Sequence, residues 1–146
     1  MNSIRPAKMT EQFVNQNRWR KENPVKRSII MAFAKARIRA EKRGVPFNIP
    51  KGTTKSLFDR CGGRCELSGV LFRVSTTGIC SIFSPSLDRI NPSRGYVIGN
   101  IRLILNGLNA LKGEGTDEEL RGICKAVVKN TATANKSELL LMTEDQ

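Results

Sequence analysis

Ser86-Leu-Asp-Arg-Ile-Asn-Pro-Ser-Arg-Gly-Tyr-Val-Ile-Gly-Asn100, with the run to Lys112 behind it, decides how this chain folds and what chemistry it can carry. A carboxylate, Asp88, stands at the end of a short extended segment. A loop of turn formers, Asn91-Pro-Ser-Arg-Gly95, comes next. From Asn100 to Leu111 the apolar residues Ile101, Ile104, Leu105, Leu108 and Leu111 fall at three- and four-residue steps, which predicts a helix. Arg102, Asn106 and Asn109 fall on its opposite face, with Lys112 one step further on. A hard divalent cation such as Mg²⁺ takes oxygen ligands of this kind and completes its shell with water and phosphate. A strand carboxylate and a helix carboxamide can therefore hold such an ion against a phosphodiester, where it stabilises developing charge.

Upstream of this block, Val25 to Arg43 reads as a helix. Ile29, Ile30, Phe33, Ala36 and Ala40 form its apolar stripe, Pro24 sits at its start, and Gly44 and Pro46 stop it. Val45-Pro-Phe-Asn-Ile49 reads as extended. Thr53 or Thr54 could cap a short helix through Leu57 and Phe58, ended by Gly62-Gly63. Cys65 to Val74 alternates imperfectly around a turn at Ser68-Gly69, and Ile79 to Phe83 is a second strand candidate. Downstream, Thr116 and Glu119 form a capping box for a last helix to about Val128. The expected organisation is a basic arm over 1–24, a folded domain over 25–128 with its basic helix at 25–43, and a polar tail over 129–146. No internal repeat is visible.

Charge points to the partner. The chain has 146 residues, 25 Lys+Arg, 13 Asp+Glu and no His, for a net charge of +12. Residues 1–60 carry +11, residues 61–112 carry +4 and residues 113–146 carry −3. A basic front end and an acidic tail imply a polyanion for the front end. DNA is the expected partner, with RNA as a variant and an anionic membrane as the rival. Lys35, Arg37, Arg39, Lys42 and Arg43 would track the backbone. The arm residues Arg18, Trp19 and Arg20 would reach a groove, and Arg94, Arg102 and Lys112 would add contacts near the loop. No apolar run is long enough to span a bilayer, and no apolar segment follows the basic start as a secretory signal requires. The expectation is a cytoplasmic protein whose oligomeric state the sequence leaves open, with a monomer as the default; two-fold DNA targets would require a dimer, and no heptad run supplies one. Without His, no mechanism can use an imidazole as base, acid or ligand.

Four cysteines are present. Cys61-Gly-Gly-Arg-Cys65 has a spacing that could open a zinc site, but Cys80 and Cys124 stand alone, so the plainer reading is reduced thiols, with Cys65 and Cys124 in the core.

The central block resembles the HNH, or ββα-metal (His-Me finger), endonucleases, in the branch common in phages with the pattern S-x-D-R-I-x-P-x-x-G-Y-x-x-x-N-x-R…N-x-x-K. Ser86, Asp88, Arg89, Ile90, Pro92, Gly95, Tyr96, Asn100, Arg102, Asn109 and Lys112 stand at those places. Ala34-Lys-Ala-Arg-Ile-Arg-Ala-Glu-Lys-Arg-Gly-Val-Pro-Phe47 is similar to the basic helix and G-x-P-F turn of the same proteins. Gly62-Gly-Arg-Cys-Glu-Leu-Ser-Gly69 is similar to their G-G-x-C-x-L-T/S-G turn, which has a single Cys. The likeness covers residues 29–112, about three-fifths of the chain. It implies an α+β fold: a small ββα-metal core with a basic helix before it and a helix after it. It also implies a metal-dependent DNA endonuclease or nickase using Mg²⁺ or Mn²⁺. Asp88 would be the first metal ligand and Asn109 the second, and Asn100 would tie down the loop through backbone hydrogen bonds. Arg89 stands where that family usually has its general-base His. A guanidinium stays protonated at neutral pH, so Arg89 would bind phosphate rather than accept a proton. Glu66 is a remote alternative base.

Each of these residues also has a plainer reading. Asp88 could cap a turn, Asn100 could cap a helix, and Asn106 and Asn109 could be the wet face of that helix. Two further functional classes therefore stand beside the nuclease. One is a binding module that keeps the fold and basic surface but binds DNA, RNA or a host protein without cleavage, and the missing imidazole is its main support. The other is a structural nucleoprotein subunit.

Overall fold

A computed structural model describes residues 11–75 and 81–143, and the side chains as far as residue 131. In chain order the elements are α1 (Glu11–Glu22), α2 (Pro24–Arg43), β1 (Phe47–Asn48), α3 (Thr53–Cys61), β2 (Pro85–Arg89), β3 (Tyr96–Val97), β4 (Ile101–Leu105), α4 (Asn106–Lys112) and α5 (Asp117–Thr143). β2 and β4 form an antiparallel pair with Leu87 opposite Leu103 and Asp88 opposite Arg102. α4 follows β4 directly and packs back on both strands, which makes a ββα unit.

α2 starts with Pro24 in its first turn and ends where Gly44 takes the left-handed conformation, its N–H reaching Ala40 and Glu41 carbonyls. Ile29, Ala32, Ala36 and Ala40 are buried, and the small alanines let the helix lie close on β2. Ile30, expected in the stripe, is half exposed, because the buried face is centred one residue further round. The core joins Ile29, Ala36 and Ala40 to Leu57, Cys65, Phe72, Leu87, Tyr96, Ile101, Leu103 and Ile104.

Three expectations about local structure need correction. Ile101 to Leu105 is a strand, and the helix begins only at Asn106. All five strand residues are buried, so the apolar spacing that mimics a helix comes from a strand covered on both faces. Residues 81–84 form a turn rather than a strand, while 79 and 80 lie outside the described residues. Ser84 and Ile82 carbonyls accept the Asn106 and Gly107 amides, so this turn docks on the start of α4. Neither threonine caps α3: Gly52 is the N-cap, and Thr53 donates its hydroxyl to the Pro50 carbonyl. The helix runs on to Cys61 and ends at Gly62.

The last helix does not stop near Val128 but continues to Thr143. Its start has the expected capping box. The Thr116 amide donates to Glu119 Oε2 at 2.7 Å, and the Glu119 amide donates to Thr116 Oγ1 at 3.2 Å. Among the described residues, no helix is long and apolar enough to cross a membrane.

Candidate nucleic-acid and catalytic site

The loop between β2 and β4 is held from inside. Asn100 is 1 % exposed. Its Nδ2 donates to the Asn91 and Gly95 carbonyls at 3.1 and 2.9 Å, and its Oδ1 accepts from the Asn91 amide at 2.9 Å. Asn100 is therefore a loop clasp ahead of β4, not the cap of a helix. The far side of the loop is pinned to the exit of α2. β1 and β3 pair in parallel, Phe47 against Tyr96, and the Tyr96 amide donates to the Pro46 carbonyl at 2.8 Å. Gly95 is required there, since a Cβ would lie 2.5 Å from the Pro46 oxygen.

These ties enclose a polar cavity of about 320 Å³. α2 contributes Arg39 and Arg43, β2 contributes Ser86 to Arg89, α4 contributes Asn106 and Asn109, and Glu114 closes one side. Asn109 Nδ2 donates to Ser86 Oγ at 2.7 Å, and its Oδ1 has no hydrogen-bond partner among the described residues. Arg89 is oriented by the loop. Its Nη1 donates to the Pro92 carbonyl at 2.6 Å and its guanidinium lies 5.4 Å from the centre of the Tyr96 ring. Its Nη2 donates to Glu114 Oε2 at 2.7 Å.

Asp88 has a different environment from the one its sequence position suggests. Its side chain is 4 % exposed. Lys112 Nζ donates to its two oxygens at 3.0 and 3.1 Å, and Arg102 Nε donates to Oδ2 at 2.8 Å. Arg102 also forks onto Asp117, with Nη1 on Oδ2 at 2.8 Å and Nη2 on Oδ1. Lys112 completes its donors on the Arg89 and Ile90 carbonyls. The result is a charge-balanced tetrad of two acids and two bases from β2, β4, α4 and α5. Burial opposes the charge on Arg102, but hydrogen bonds and attraction from Asp117 and Asp88 outweigh it, and its pKa rises. The same hydrogen bonds from Arg102 hold the Asp117 carboxyl below its ordinary range, against a smaller effect of burial.

Arg102 and Lys112, expected on nucleic acid, are thus buried and spent on interior acids. Nor do the residues as arranged fit a divalent cation. The ammonium of Lys112 and the guanidinium of Arg102 already neutralise Asp88, and a neutral amide at Asn109 is too weak a donor set alone. No cluster of three metal-ligating side chains occurs among the described residues.

The remaining expected residues are dispersed. Lys35, Arg37 and Lys42 are exposed on α2, with Arg37 paired to Glu41 one turn on. Arg94 is exposed on the loop and Arg18 on α1. Arg20 donates to Asn17 on its own helix, and Trp19 lines a separate groove with Ile29, Ile30 and Phe58. Cys65 is buried, accepting the Ser68 and Leu105 amides at 3.4 Å, while the Cys61 thiol donates to the Phe58 carbonyl. Glu66 lies on the outer edge of β4, bonded to the Leu103 amide and Arg60, and does not line the cavity. Sequence reasoning missed Glu114 and Asp117. The Gly113-Glu-Gly115 run was the one signal for Glu114, and Asp117 looked like an ordinary acidic residue of a first helical turn.

A core of two antiparallel strands, a clasped loop and a short returning helix, with a basic helix in front, is the HNH ββα fold. A solved structure of the rare-cutting HNH restriction endonuclease PacI matches this chain with a TM-score of 0.52 over 73 % of its length and 81 % of the other chain, at 20 % identity. No protein-family model matches the chain, and neither does any curated protein.

Proposed function

We propose that the chain is an HNH-type nuclease that engages a DNA phosphodiester in the cavity between α2, β2 and α4. The observation that carries this reading is that three arginines from two elements, Arg39, Arg43 and Arg89, line one cavity together with Asn106 and Asn109. Arginine binds phosphate oxygens through paired N–H donors and stabilises charge that builds on them. Asn109 Oδ1, unengaged beside Ser86, orients a water or a phosphate-bound group. Neither Arg89 nor any imidazole removes the proton of an attacking water, so that proton passes to solvent and the reaction is slow, by roughly 10²–10⁴-fold relative to one with a positioned base. The expectation that Asp88 and Asn109 share Mg²⁺ or Mn²⁺ requires Lys112 to withdraw from the carboxylate.

The locked state of Asp88 favours a second reading, a module that binds DNA or RNA without cutting it. Supercoiled plasmid incubated with Mg²⁺, Mn²⁺ or EDTA separates the two. Nicking that Asn109→Ala and Arg39→Gln abolish supports the nuclease. Tight binding that falls with salt, without nicking in any arm, supports the binding module. Absence of both refutes the whole reading of this cavity.

A further inference from the structure

The carboxylate of Glu114 sits between two guanidiniums that come from different elements. Oε1 accepts from Arg43 Nη1 of α2 at 2.6 Å, and Oε2 accepts from Arg89 Nη2 of β2 at 2.7 Å. One oxygen on each arginine is the arrangement that the two non-bridging oxygens of a phosphodiester would adopt. Arg89 is already built for such a ligand. Its side chain is 10 % exposed, loop carbonyls hold Nη1, the Tyr96 ring lies against its guanidinium, and Nη2 is directed at Glu114. Glu114 is built to leave. Its side chain is 59 % exposed, it lies between two glycines, and Gly113 has a φ of 55°. Ion pairs this exposed are weakly held.

We propose that Arg43 and Arg89 form a phosphate seat that Glu114 fills as an internal substitute, so that DNA must displace this carboxylate to enter. The inference rests on the reading of the cavity as a phosphodiester site and adds its regulation. In the free protein the seat is neutralised in part by its own chain. A backbone phosphate exchanges for Glu114, which swings to water on its glycine-flanked loop. The device filters weak anions, because only a ligand held by further contacts along α2 outcompetes a tethered carboxylate.

The test is binding of a short fluorescent DNA duplex, followed by anisotropy in EDTA across a salt series, so that cleavage plays no part. Glu114→Gln should tighten binding by about 3- to 10-fold, and the slope of log affinity against log salt should steepen by about one. Adding Arg43→Gln to that variant should remove most of the gain. Glu118→Gln, which takes a negative charge from the exposed pair with Arg121, should change affinity less. Equal tightening by Glu118→Gln reduces the effect to bulk charge and overturns the seat. Unchanged affinity for Glu114→Gln, with the unsubstituted chain still binding in a salt-sensitive way, overturns the seat but leaves the cavity reading intact. No salt-sensitive binding by either chain overturns both.

Discussion

Lys112→Met is the sharpest test of the buried tetrad. The Lys112 side chain is fully buried, and its ammonium faces Asp88, Asp117 and the carbonyls of Arg89 and Ile90. Methionine keeps the length and apolar volume but removes the charge and every donor. The tetrad then carries one net negative charge, with Arg102 left to serve both acids. Removing one member of a buried ion pair costs about 3–5 kcal/mol. Arg102 still pairs with Asp88, so the lower end, about 3 kcal/mol, is expected. In a chain of this size that lowers Tm by roughly 6–12 °C. Urea denaturation gives the free energy, and a thermal melt gives the shift. Lys55→Met, at the exposed Lys55–Asp59 pair, provides the comparison and should cost less than about 1 kcal/mol. Adding Asp88→Asn to Lys112→Met should cost less than the sum of the two single changes, with a coupling of about 1–3 kcal/mol. If Lys112→Met destabilises no more than Lys55→Met, or the two changes at 88 and 112 simply add, the tetrad is not an interacting unit and Asp88 is available for other chemistry.

Asn100→Ala strips three hydrogen bonds from buried loop groups and should destabilise by about 3 kcal/mol, read from urea denaturation. Gly95→Ala drives a Cβ against the Pro46 backbone and should cost about 1–3 kcal/mol by separating β1 from β3, which an amide-exchange measurement at Tyr96 would register as lost protection. The lowered Asp117 carboxyl sets an acid dependence. Its contribution is complete above its unfolded pKa of 3.8 and is lost as pH falls through the lower folded value. Asp117→Asn should therefore flatten the fall in stability below about pH 4, and an unchanged acid limb would refute the linkage.

Where local chemistry decides structure, the chain was readable. Pro24 and Gly44 bracket α2 because one residue suits a first turn and the other a left-handed stop, and Thr116 with Glu119 marks the start of α5 for a similar reason. β4 was not readable from spacing. Ile101, Ile104 and Leu105 satisfy a helical period as well as a strand buried on both faces, and only the layers of α2, α3 and α4 around the sheet decide between them. The charges near the loop misled in one direction. A Lys or Arg beside a nuclease-like motif reads as a phosphate contact, yet Arg102 turns inward because its partner Asp117 lies 15 residues away and becomes a neighbour only after α5 packs. Arg39 and Arg43 were legible as backbone-tracking cations from their density on α2, but their convergence with Arg89 depends on how α2 crosses β2.

The four-way balance among Asp88, Arg102, Lys112 and Asp117 also constrains how related sequences can drift. A change at position 88 that discards the acid leaves Asp117 alone to balance Arg102 and Lys112, and a change at 112 that discards the amine leaves Arg102 alone to balance two acids. Descendants of a common ancestor should therefore keep both or exchange both, and an aligned set in which these two columns vary independently would be hard to reconcile with the packing seen here.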